Sequence, residues 1–151
     1  MSGNQEHVSQ AGEVLTSLIV PVIRLEGYFS RAGETLAAAG GQTLARWLVL
    51  ESVAEAPATV SQIARGLGYM RQSVQRVADL LEQDGLTQYA LNPAHQRSQL
   101  VRIKPLGRKA LSTIQRAQRA WADRVGSEIG EAELRQASAV VDNLTRILKA
   151  Q

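Results

Sequence analysis

At 151 residues, 44% hydrophobic and 21% charged, the chain has ordinary globular composition and enough length for one domain with a real core. It has no cysteine, which excludes disulfides, thiolate metal sites and thiol-based oxidant sensing. No apolar run approaches the ~20 residues of a membrane span, and the N-terminus lacks a signal-peptide pattern, so the expectation is a cytoplasmic protein with no membrane partner.

The net charge of +3 hides an asymmetry. Between Gln62 and Arg119 ten basic residues face three acids, a net of +7, which leaves −4 for the rest of the chain. A basic centre of this kind suits a polyanion partner, and equally a solvated face that happens to be basic.

Residues 1–8 are polar and read as a disordered N-terminus ahead of a single domain over 9–151. Val14, Leu15, Leu18, Ile19, Val22 and Ile23 follow helical spacing, continued by Tyr28 and Phe29. Pro21 interrupts the pattern and predicts either a kink or a helix that begins near it. So dense an apolar stretch fits a core or an oligomer seam. Residues 37–42, with Gly40 and Gly41, form a break, after which Thr43 is placed to cap a helix carrying Leu44, Trp47, Leu48 and Leu50. Trp47 reads as a core anchor in preference to a ligand-stacking residue.

Past Pro57, Thr59-Val60-Ser61-Gln62 has the form of a capping box that opens a short helix with Ile63, Ala64 and Leu67 on its apolar side. Gly66 and Gly68 punctuate the chain before a second helix. There Val74, Val77, Ala78 and Leu81 recur at i, i+3, i+4 and i+7, so one face packs inward. The other face carries Arg71, Gln72, Ser73, Gln75, Arg76 and Asp79. Two short helices about a glycine turn, the second exposing Arg, Gln and Ser, form a helix-turn-helix pattern. Asp84-Gly85 ends it. Residues 86–91 and 100–103 are strand-like, separated by a polar tip with Asn92-Pro93, His95 and Arg97, which predicts a β-hairpin wing. Pro105 suits the first position of a long helix in which Leu111, Ile114, Gln118, Trp121 and Val125 step by three and four. After a break near residues 126–130, Leu134, Ala137, Val141, Leu144 and Leu148 repeat those steps. The two seams fit an intramolecular helical hairpin or, the reading favoured here, burial against a second copy of the chain.

This order of elements resembles the MarR family of bacterial transcriptional regulators, over residues 30–150 and best over 43–107. The resemblance rests on Gly41-Gln42-Thr43 followed by Trp47 and Leu50, on residues 59–64, on Leu80-Leu81-Glu82-Gln83-Asp84-Gly85-Leu86, and on the wing. The family's wing has an Asp-x-Arg pattern before a short apolar strand and a Thr; here it reads His95-Gln96-Arg97, then residues 100–104. His95 thus replaces the acid that helps hold the wing arginine. Lys104 and Pro105 stand where a Thr would cap the long helix, and Met70 stands where a Ser would cap the recognition helix, a loss worth ~1 kcal/mol.

The resemblance implies a mainly α fold with a small β-hairpin wing. A winged helix-turn-helix lobe would span 43–104, and dimerisation helices 9–36 and 105–151. It implies a homodimer that binds double-stranded DNA at a pseudo-palindromic operator, represses transcription, and is released when a small anionic or aromatic effector binds beside the DNA-binding lobe. No cofactor or metal is expected. Gln72 and Gln75 are assigned to bases, Arg71 and Arg76 to bases or phosphates, and Ser73 to a phosphate or a close base edge. Arg97 is assigned to the minor groove, and Arg102 and Lys104 to phosphates. Thr59 and Ser61 lie at a helix N-terminus able to bind a phosphate. Tyr28, Trp47 and Trp121 are the bulky aromatics available to an effector crevice, though core packing also accounts for them. His95 can act as a pH-sensitive group or simply be solvated. With two histidines, no cysteine, and no phosphate-binding glycine loop, zinc spacing or nucleophile elbow, the chain is not expected to be an enzyme. A winged helix that binds another protein, or DNA without sequence preference, is the rival reading; the polar, basic exposed helix face argues against a protein partner.

Overall fold

A computed structural model describes residues 9–151; the expected disorder at 1–8, and His7, lie outside them. The first helix, α1 (Gln10–Ala38), starts on Ser9, whose hydroxyl accepts from the Gly12 N–H. It runs on through Pro21, so the helix start expected near the proline is not seen. Pro21 is exposed, and the carbonyl it frees one turn back can turn to water. Residues 39–43 then break the chain and α2 (Leu44–Ser52) begins on Thr43, whose Oγ1 accepts from the Arg46 N–H at 3.3 Å.

A short strand, β1 (Ala58–Thr59), leads directly into α3 (Val60–Leu67). The capping box forms as the sequence predicts: Thr59 Oγ1 accepts from Gln62 N–H at 3.2 Å, and Gln62 Oε1 accepts from Thr59 N–H at 2.8 Å. Gly68 ends α3 with φ of 70°, a left-handed conformation in which a side chain is strained. The recognition-type helix α4 (Arg71–Gln83) follows, then β2 (Thr87–Ala90), β3 (Leu100–Ile103), α5 (Pro105–Ile129) and α6 (Glu131–Lys149). The break before α6 falls at Gly130.

The wing is one strand larger than the hairpin the sequence suggests. β1 pairs antiparallel with β3 (Ala58 opposite Val101, Thr59 opposite Leu100), giving a sheet ordered β1-β3-β2. This extra strand ties the N-terminus of α3 to the wing. At the wing's base, Gly107 of α5 comes against the turn between α4 and β2. A Cβ there would stand 2.3 Å from the Leu86 carbonyl oxygen, which also accepts from Lys104 N–H at 2.9 Å.

One core lies beneath these elements. Leu50, Leu81, Ile114, Val49, Val53, Val74 and Val101 are fully buried, and Trp47, Ile63, Ala64, Ala78, Leu86, Ile103 and Leu111 join them. The period-3.6 face of α4 and the first half of α5 supply much of it, as their spacing predicts. The ends of the chain behave differently. α6 buries no residue, and α1 buries only Gly33 and Ala37. Ile23 is 65% exposed and Leu148 63% exposed, within rows that include Val14, Ile19, Val22, Phe29, Val141 and Ile147. The helical hairpin of α5 and α6 exists, but it does not cover the second seam.

Candidate nucleic-acid interface

The exposed face of α4 carries Arg71, Gln72, Ser73 and Arg76. Its N-cap, Met70, gives no side-chain hydrogen bond, so the first-turn N–H groups are not capped from the protein's own side chains. Arg71, Gln72, Gln75 and Arg76 line an open groove of about 630 Å³ along the helix. A second, smaller notch of about 130 Å³ joins three elements: Thr59 and Ser61 from the start of α3, Arg71 and Gln75 from α4, and Arg97 from the wing. Residues 38 positions apart in sequence thus share one concave surface. Arg71, Arg76 and Arg97 make no ion pair among the described residues, where the two pairs formed are Arg46–Asp84 and Arg135–Glu131. Unpaired, exposed guanidinium groups around a polar notch leave their charge to an incoming anion.

Not every assigned residue converges there. Ser73 is exposed but lines neither cavity. Arg102 is exposed on β3 and Lys104 stands at the base of the wing; neither lines the notch. His95 is exposed at the tip, and without an acid at its position Arg97 has no internal hydrogen bond among the described residues.

Gln75 is the residue whose setting differs most from its base-reading assignment. Its Nε2 donates to Asp79 Oδ1 at 2.9 Å and to Tyr89 Oη at 2.8 Å, which uses both amide hydrogens. Tyr89 in turn donates to Asp79, and its backbone N–H donates to Glu82 Oε1 at 3.0 Å. The hydrogen bonds from Tyr89 and then Gln75 hold the Asp79 carboxyl below its usual range. Burial, and then the Asp79 carboxylate, push the Tyr89 phenol well up. The network fastens α4 to β2. Only Gln75 Oε1 is left to accept from a base. Sequence reasoning placed Asp79 on the exposed face of this helix but gave neither it nor Tyr89 a role; Gln75 and Asp79 are an i, i+4 pair, whereas Tyr89 lies fourteen positions on from Gln75 and no local pattern joins it to α4.

The sequence pattern that defines the MarR family matches residues 41–98. An uncharacterized protein of Mycobacterium tuberculosis is 37% identical over 136 residues, spanning 90% of this chain and 93% of its own. The chain belongs to the MarR family. Its fold is also that of solved regulators of lower identity. The transcriptional regulator BldR from Sulfolobus solfataricus superposes with a TM-score of 0.77 at 18% identity, over 95% of this chain and 100% of its own. CouR from Rhodococcus jostii RHA1, solved bound to p-coumaroyl-CoA, superposes with a TM-score of 0.74 at 19% identity, over 82% of this chain and 87% of its own.

This MarR-family chain has a second concave feature, a crevice of about 400 Å³ between α1, α2 and α5. Trp47 and Trp121 line it, as assigned, together with Phe29, Leu36, Leu48 and Glu51. Tyr28 does not. It is turned outward, 58% exposed, with the Arg31 guanidinium 4.6 Å above its ring, and the next residue takes its place. Phe29 meets Trp121 edge-on, ring centroids 6.2 Å apart. One residue along a helix is a rotation of about 100°, enough to move a ring from crevice to solvent. Gly33 lets α2 approach at the crevice floor: a Cβ there would stand 2.7 Å from Leu44 Cδ1.

Proposed function

We propose that the chain is a homodimeric, sequence-specific DNA-binding transcriptional regulator, a repressor of a pseudo-palindromic operator, and not an enzyme. The observation that carries this reading is the continuity of unpaired Arg71, Arg76 and Arg97 across α4 and the wing, around the α3 N-terminus. α4 enters the major groove, where Arg71, Gln72 and Arg76 reach base edges and the first-turn N–H groups meet a phosphate. Gln75 acts mainly as the strut that holds Tyr89 and Asp79, and offers one acceptor to a base. Arg97 enters the adjacent minor groove, and Thr59, Ser61, Arg102 and Lys104 add phosphate contacts that give affinity. A protein with this task works in the cytoplasm.

The dimer is supported by the uncovered apolar faces of α1 and α6, which have no partner within the described chain. Two copies joined there present two α4 helices to half-sites about one helical turn apart. The crevice beside Trp47 and Trp121 is the effector site: an occupant there shifts α1 and α5 against α2 and so changes the spacing of the two recognition helices. CouR, solved with a bound aromatic thioester, supports a ligand-responsive reading of this fold.

Fluorescence anisotropy against DNA from the upstream intergenic region, with scrambled DNA and a salt series beside it, tests the reading. Tight, sequence-selective binding that weakens steeply with salt is expected. Weak binding that ignores sequence would overturn it in favour of a non-specific or protein-binding winged helix.

A further inference from the structure

The crevice has a charge that limits what it can hold. Phe29, Trp47 and Trp121 supply aromatic surface, and Glu51 is the one charged side chain in its lining. The Glu51 carboxylate accepts from Trp47 Nε1 at 3.2 Å and from Gln115 Nε2 at 3.3 and 3.4 Å. Both donors are neutral, so the carboxylate has hydrogen-bond partners and no counter-ion. Among the described residues no Lys, Arg or His lines the crevice or pairs with Glu51. Of the arginines on neighbouring helix turns, Arg46 pairs with Asp84 at 2.7 Å and Arg31 lies over the Tyr28 ring, while Arg116 and Arg119 of α5 are exposed and line no part of the crevice.

An anion entering this space would approach a carboxylate that has no cation paired with it, at the solvent-facing edge of the crevice. A cation meets the opposite conditions. It gains the carboxylate and the negative faces of the aromatic rings together, the combination that recognises ammonium groups elsewhere. The volume of about 400 Å³ suits a ligand of drug-like size. We propose that the ligand of this crevice is a small organic cation with an aromatic or apolar body, held by Glu51 as counter-ion and by the rings of Trp47, Trp121 and Phe29. This rests on the crevice being a ligand site, as read above, and names the ligand's charge.

The chain contains two tryptophans, and both line the crevice, so intrinsic fluorescence reports occupancy without a label and without DNA. Three probes of similar size are titrated into the full-length protein: benzyltrimethylammonium, benzyl alcohol and benzoate. The cation is expected to bind at least about tenfold more tightly than either other probe. In Glu51→Gln, which keeps an acceptor for Trp47 and Gln115, its affinity is expected to fall about tenfold while benzyl alcohol stays within about twofold. Equal affinities, a preference for benzoate, or a cation affinity untouched by Glu51→Gln would overturn the proposal. Should the variant melt early, the ranking of the three probes on the wild-type protein decides alone. No response to any probe would overturn both the proposal and the reading of the crevice as a ligand site. A parallel anisotropy titration of the protein–DNA complex tests release separately, so cation binding that leaves DNA bound would refute the effector role while upholding the ligand class.

Discussion

Arg76→Ala separates the roles that a recognition-helix arginine can have. Arg76 is exposed and makes no ion pair among the described residues, so its removal breaks no internal contact. Stability should therefore stay within about 0.5 kcal/mol of wild type. A homodimer loses the side chain twice. A bidentate base contact is worth about 1–3 kcal/mol, so two amount to about 2–6 kcal/mol, a fall in operator affinity from about 30-fold to 10⁴-fold. Affinity for scrambled DNA would fall much less. A pure phosphate contact leaves a different signature: affinity for both DNAs drops together, and the slope of log K against log salt shrinks by about 2, close to 0.9 per arginine. Anisotropy titrations of both DNAs at four or five salt concentrations resolve the two cases. Unchanged affinity and slope on both, with the melting temperature preserved, would refute the placement of α4 in the groove.

The remaining predictions concern the scaffold. Val141→Asp or Leu148→Asp, both at exposed positions of α6, should convert the proposed dimer to monomer; a variant still dimeric by light scattering would show that α6 is not the seam. Tyr89→Phe removes the hydroxyl that receives Gln75 and donates to Asp79, and should cost about 1–2 kcal/mol by urea denaturation while loosening the wing, read as weaker operator binding. The same network sets a pH dependence. Asp79 is lowered in the fold, so its contribution is present above the ordinary carboxylate range and is lost as pH falls through the depressed value; Tyr89 is raised, so its contribution is present below pH 10 and is lost only in stronger alkali. Acid melts of Asp79→Asn should show a smaller loss of stability on acidification than wild type. Gly107→Ala would drive a methyl group against the Leu86 carbonyl and should destabilise by about 1–3 kcal/mol, a drop of several degrees in thermal midpoint; an unchanged midpoint would show that this contact gives way easily.

How much of this was legible in the sequence depended on how local each cause is. The capping box at Thr59 and Gln62, the Thr43 cap, the turn at Gly68 and the buried face of α4 each follow from residues within one or two helical turns, and each appears where its pattern predicts. β1 was not legible. Two residues cannot show alternation, and Ala58 and Thr59 become a strand only because β3 lies beside them. Of the two outcomes expected at Pro21, a helix start near it is not seen, since α1 is already under way eleven residues earlier at Gln10. In α1, apolar side chains surround so much of the helix that the period could not choose between Tyr28 and Phe29 for the crevice. The heptad steps of α5 and α6 marked which faces are apolar, yet a pattern of one chain cannot say whose surface covers them. Gln75 with Asp79 and Trp47 with Glu51 are i, i+4 pairs open to sequence reading, but Tyr89 and Gln115 reach them from other elements, and only the fold brings those together.

The bare outer helices make the amount of protein present a physical variable. α1 and α6 bury few residues of their own, so in the proposed dimer a second molecule covers their apolar rows, and mass action then ties folded stability to copy number. A single newly made chain carries its apolar rows uncovered, open to proteases and to its neighbours, until it meets another. In that dimer a smaller pool would leave a larger share of chains uncovered, and a larger pool would leave fewer. A regulator built this way answers to its own abundance before it meets any operator or ligand.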